Sequence, residues 1–176
     1  MQKSRKRTRR LAISAILSAL GVVILYLGAI VEVLDLSVAV IASFLCVLAV
    51  LEMGGVYPWL IYAVISILSL VLLPLKTAAV VFVVFAGYYP IVKAYYERLG
   101  TILSFTVKLV HFNVALTVLL LVSKLFVPDF SEMGPLLYAA SYALGNLFFI
   151  LYDIALTRVI SLYLRRLRDR LRIKGW

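Results

Sequence analysis

The chain has 176 residues, 65% of them hydrophobic and 15% charged, with a net charge of +10 and a mean hydropathy of +1.10. That composition excludes an ordinary water-soluble domain, because no soluble fold of this size can hide so much apolar surface. The positive charge sits beside apolar runs at the two chain ends, so it does not read as a nucleic-acid-binding face.

Six apolar stretches follow in chain order, at 11–31, 36–51, 56–73, 77–96, 101–127 and 136–163. A helix needs about 20 apolar residues to cross roughly 30 Å of hydrocarbon, so the second and third are the shortest that would serve. Polar punctuation separates them: Glu32 and Asp35, Met53-Gly54-Gly55, Pro74-Leu75-Lys76, Arg98-Leu99-Gly100, and Pro128-Asp129 with Gly134-Pro135. Spanning strands would be about ten residues long and would alternate in polarity, and no such pattern occurs. The expected fold is all-α, one integral-membrane domain with six transmembrane helices. Arg9-Arg10 before the first span resembles a twin-arginine export signal, but the apolar run is too long for a signal-peptide core, and an uncleaved first helix is expected.

Residues 1–10 carry six Lys or Arg, and residues 165–174 carry six more of the 18 in the chain. An even number of spans puts both ends on one side, and the positive-inside rule makes that side cytoplasmic. Lys93 and Arg98 add to the same face. The opposite face has Lys76 and Lys124 against Glu32, Asp35, Asp129 and Glu132. The expected location is a bacterial cell membrane, with lipid as the first partner. Past Arg158 the sixth helix could continue as an amphipathic tail with Leu162, Leu164, Leu167 and Leu171 on one side.

Polar residues within spans are costly and mark contacts or cavities. Span five holds Lys108, His111 and Asn113, with Lys108 and His111 three apart and so on one face. Span six holds Tyr138, Tyr142, Asn146 and Asp153 on one stripe. At a 1.5 Å rise per residue, Lys108 and Asp153 lie about 10 and 15 Å from the cytoplasmic ends of their spans. They are expected to pair, either as a joint between helices or as a coupling pair, with His111 as a third member of the network. Lys93 and Glu97, one turn apart, form a second expected pair, and Tyr95 and Tyr96 fit an aromatic belt. Gly87 and Pro90 predict a bend in span four. In span one, Ala12, Ala15 and Ala19 form one row of small residues and Ser14, Ser18 and Gly21 the next; such rows allow close helix contact, inside the bundle or with another subunit. Cys46 is the sole cysteine and His111 the sole histidine, so neither a disulfide nor a histidine metal site is expected. No Walker loop, H-E-x-x-H or G-x-S-x-G motif is present, and the chain is expected to be neither an enzyme nor a cofactor binder.

Six spans in under 200 residues, basic ends and Ala15-x-x-x-Ala19 after a basic leader make the chain look like a substrate-binding S-component of an energy-coupling-factor vitamin transporter. The segments Phe85-Ala86-Gly87-Tyr88-Tyr89-Pro90 and Gly145-Asn146 through Tyr152-Asp153 add to that likeness. The resemblance implies that Ala12, Ala15 and Ala19 dock a transmembrane coupling subunit driven by cytoplasmic ATPases, while a small-molecule ligand is captured from outside. Tyr138, Tyr142 and Asn146 would line the pocket, and Lys76 would meet an anionic group or a loop carboxylate. Two other classes stay open. One is a scaffold resembling the rod-shape factor of the wall-elongation machinery. The other is a small proton-coupled carrier using Lys108, His111 and Asp153.

Overall fold

The computed structural model describes residues 2–31, 34–126 and 134–167. Among them no strand occurs, and the helices are α1 (Gln2–Val31), α2 (Asp35–Glu52), α3 (Tyr57–Leu72), α4 (Thr77–Val81), α5 (Tyr89–Tyr96), α6 (Thr101–Phe126) and α7 (Pro135–Leu162). A π-helical turn, Phe82–Ala86, joins α4 toward α5, and another, Tyr163–Leu167, ends α7. The protein is an all-α, multi-pass membrane protein. Five stretches are long and apolar enough to cross a bilayer, with Thr77–Tyr96 acting as one. The sixth, α3, has 16 residues, or about 24 Å at 1.5 Å per residue. It is short for the hydrocarbon thickness and would need local thinning or its flanking residues to complete a crossing.

Local chemistry sets the boundaries. At the end of α2, Gly54 and Gly55 both have left-handed backbones, φ +60° and +59°. The N–H groups of Met53 and Gly54 both return to the Ala49 carbonyl, each at 3.0 Å, a closure that a residue with a β-carbon would strain. Pro58, Pro90 and Pro135 each stand in the first turn of their helices, where the missing N–H costs nothing. The basic leader is helical too, since α1 starts at Gln2 rather than at the apolar boundary.

The helices gather into two compact units, Met1–Lys108 and Leu109–Trp176. In the first, α1, α2, α3 and the fourth span pack on small residues. A β-carbon on Gly28 would lie 2.2 Å from a Val38 methyl, and one on Gly21 2.4 Å from Ile65 Cδ1, so the backbones approach as closely as glycine permits. Ala39, Ala42, Cys46, Ala49, Ala78 and Ala79 fill this core with Leu25, Ile61, Ile65 and Phe82. In lipid no hydrophobic drive separates helix from solvent, so this contact density is what holds the unit together.

A bend is expected from Gly87 and Pro90, and regular α geometry is interrupted in this span, beginning at the π turn ahead of both residues. The Gly87 N–H reaches the Phe82 carbonyl, five residues back, at 2.8 Å. The Val83 carbonyl, which a regular turn would pair with Gly87, receives the Tyr62 hydroxyl of α3 at 2.9 Å. The extra residue is thus tied down from a neighbouring helix. Gly87 is also spatially required, because a β-carbon there would lie 2.5 Å from the Phe82 ring and 2.8 Å from Tyr62.

In the second unit, Phe112 of α6 stacks on Phe149 of α7 with centroids 4.6 Å apart, and Gly145 lets Leu116 approach. Past the span limit of 163 the helix continues through the π turn to Leu167, the last described residue there; Leu171 and the part of the expected amphipathic tail from 168 onward lie outside the described residues, as do Glu32, Asp129 and Glu132.

Candidate functional site

Three places collect the polar and small residues that sequence singled out. The first is at the end of the fourth span. Lys93, on α5, is 1% exposed, because its face also carries Tyr89, which is fully buried and packs its ring 4.9 Å from Phe85. Its Nζ lies 2.9 Å from Glu97 Oε1, the expected one-turn pair. Lys108 Nζ, from the first turns of α6, lies 3.5 Å from the same oxygen. Two buried ammonium groups therefore share one carboxylate that is 44% exposed. Sequence reasoning found the first pair by its spacing and missed the second. The usable signal was that Glu97 and Lys108 flank the short Arg98-Leu99-Gly100 connection. Asp153 is half-buried on α7, and its backbone carbonyl accepts the Thr157 hydroxyl at 2.8 Å. His111 is half-buried on α6.

The second place is the α6–α7 pair. Asn113 and Asn146, the two asparagines of the whole chain, face each other. Asn113 Nδ2 donates to Asn146 Oδ1 at 2.9 Å and Asn146 Nδ2 donates back to Asn113 Oδ1 at 3.0 Å. Each amide also donates to a carbonyl one turn earlier on its own helix, Leu109 and Tyr142, both at 2.8 Å. The Tyr142 hydroxyl lies 2.8 Å from Thr117 Oγ1, which bonds the Asn113 carbonyl at 2.8 Å. Beside this network runs an open groove of about 540 Å³ lined by Leu109, Val110, Asn113, Val114, Thr117 and Asn146. Of the expected pocket residues, Asn146 lines the groove and Tyr142 is joined to it through Thr117. Tyr138 is half-buried one turn nearer the start of α7. Lys76 is remote in sequence and role: its Nζ donates to the Leu73 carbonyl, closing the end of α3, where a cation suits the helix dipole. Asn113 and Thr117 were not assigned to a site from sequence, although Asn113 and Asn146 stand near the midpoints of two consecutive helices. Residues at equal depth in a hairpin are natural partners.

The third place is α1, where the two rows of small residues separate cleanly. Ser14 and Ser18 are buried, at 7% and 3% exposure, and Gly21, Leu25 and Gly28 continue that line inward. Ala12, Ala15 and Ala19 are exposed, with Ile16 and Val23 at 67% and 52% beside them.

Among the described residues no group of three or more His, Cys, Asp and Glu side chains is placed to hold a metal ion. No family model, no curated protein and no solved structure matches the chain.

Proposed function

We propose that this protein is the solute-binding membrane subunit of a bacterial importer of the energy-coupling-factor type, working through a second membrane protein that docks on α1. The observation that carries the reading is the sorting of the two small-residue rows. The Ser14–Ser18–Gly21 row is used up inside the first unit, whereas Ala12, Ala15 and Ala19 form an exposed row of small residues with Ile16 and Val23 exposed beside it, a face that offers a partner helix both close approach and apolar contact. The basic leader continues that same helix toward the expected cytoplasmic side, where ATPases would be coupled. The α6–α7 groove supplies an apolar-walled site with few polar anchors, as small-molecule sites have.

A second reading, a membrane scaffold, draws on one specific feature. Every N–H of both asparagine amides is bonded within the helix pair, as a joint between two helices would require.

Affinity purification of the full chain from its host membrane decides between them. The wild type should bring down a multi-spanning subunit and ATPases, and Ala15→Trp with Ala19→Trp should lose both while staying monodisperse and helical. Retention of those partners by the double variant would remove α1 as the docking surface, and recovery of wall-synthesis proteins instead would favour the scaffold.

A further inference from the structure

Donor and acceptor capacity in the α6–α7 groove fixes what the site still has to offer. Asn113 Nδ2 has two N–H groups, spent on the Leu109 carbonyl and on Asn146 Oδ1. Asn146 Nδ2 spends its two on the Tyr142 carbonyl and on Asn113 Oδ1. Thr117 gives its single hydroxyl hydrogen to the Asn113 carbonyl, so in the 2.8 Å contact between Thr117 and Tyr142 the phenol must be the donor. The amide orientations are forced, since exchanging nitrogen and oxygen in either one would set an oxygen against a backbone carbonyl. All donor hydrogens on the three polar groove residues are therefore committed. Asn113 Oδ1, Asn146 Oδ1 and Thr117 Oγ1 each accept one bond and keep capacity for another.

We infer that this groove is a binding site for a small, largely apolar ligand that presents N–H donors, such as a heterocyclic or amine N–H, and that it rejects carboxylates and phosphates. A donor group completes the three oxygens without breaking the amide pair. An anion would set oxygen against oxygen with no hydrogen between them, in surroundings of low dielectric where that repulsion is strongest. Val110 and Val114, each 60% exposed, and Leu109 supply walls for the apolar body. The volume of about 540 Å³ falls in the range of small-ligand sites, roughly 300–1,000 Å³. The inference rests on the solute-binding reading above but not on the α1 docking surface.

Because the chain has two asparagines, labelling with ¹⁵N-asparagine gives NMR spectra containing the two groove side-chain amides and two backbone amides alone. The test titrates the full-length protein in detergent micelles with indole, with 1-methylindole, which has the same ring but no N–H, and with 2-naphthoate. Indole should move both side-chain amide signals saturably. 1-Methylindole should need at least tenfold more to do so, and 2-naphthoate should leave them in place. Thr117→Val, which keeps the amide pair and removes one acceptor, should narrow the gap between the two indoles, and its amide signals report directly that the pair is still formed. Equal response to the two indoles, or a stronger response to 2-naphthoate, would overturn the N–H selectivity while leaving a groove that binds solutes. No saturable response to indole would overturn the site altogether, and partner capture on α1 would be unaffected by that result.

Discussion

The two units solve the same problem, holding helices together in lipid, by different means. In Met1–Lys108 the helices approach through glycine and alanine, and 61% of the most apolar window of Thr77–Tyr96 is buried. In Thr101–Ser123 and Pro135–Arg165, which supply most of the second unit, the corresponding share is 22%. There the described contacts between α6 and α7 include a stacked phenylalanine pair, a reciprocal amide pair, the Thr117–Tyr142 hydrogen bond and the approach of Leu116 to Gly145. A polar clasp between loosely packed helices leaves a groove beside it. The less buried pair of helices is thus the one that carries the α6–α7 groove.

Substitutions can break this contrast, beginning where packing is tightest. Gly28→Leu drives a side chain into Val38 and should cost about 3 kcal/mol, the upper part of the usual overpacking range; reversible unfolding in mixed micelles would measure it, and a loss below about 1 kcal/mol would mean the first unit is looser than described. Next, Glu97→Gln takes the shared carboxylate from Lys93 and Lys108. Removing one partner of a buried pair costs about 3–5 kcal/mol, but Glu97 is 44% exposed, so about 2 kcal/mol is expected after allowing for solvent. Lys108→Met in the Glu97→Gln background should restore part of that loss, and no recovery would show that the lysines do not depend on this carboxylate. In the second unit, the Asn113→Leu and Asn146→Leu double-mutant cycle should give a coupling of about 1 kcal/mol, near the upper part of values for side-chain hydrogen bonds between membrane helices; additive single effects would dissolve the clasp. Smallest of all, Ala15→Trp with Ala19→Trp should change stability by within about 0.5 kcal/mol, as for exposed positions. A clear loss would mean the ridge already packs within the chain.

Sequence made the helices legible and their partners much less so. Residues 36–51, 56–73 and 77–96 were expected as spans, and the helices run Asp35–Glu52, Tyr57–Leu72 and Thr77–Tyr96. Hydropathy marks such edges well, since charges and Gly-Gly or Pro turns stand where apolar runs stop. The basic leader was read as a flanking segment because hydropathy says nothing about whether polar residues are helical. Lys93 with Glu97 was readable, as both lie on one helix at a fixed interval. Lys108 with Glu97 and Asn113 with Asn146 join different helices. A single sequence gives the depth of each residue but not the rotation of one helix about its axis relative to another. Lys76 shows the same limit in reverse, because a loop cation looks available for an anion until the carbonyl at the end of α3 is seen to hold it.

The π turn at Phe82–Ala86 also sets the phase of everything after it. One residue corresponds to about 100° of helical rotation, and the π turn absorbs one extra residue into the same circuit, so without the bulge the same sequence would turn Tyr89, Lys93 and Glu97 by about that angle and carry the lysine away from its buried position. The inserted residue works as a registry pin, with the Tyr62 hydroxyl as its latch. A second inserted residue, which this bulge does not absorb, should therefore do more damage than deletion of the extra one, which restores a regular turn in phase.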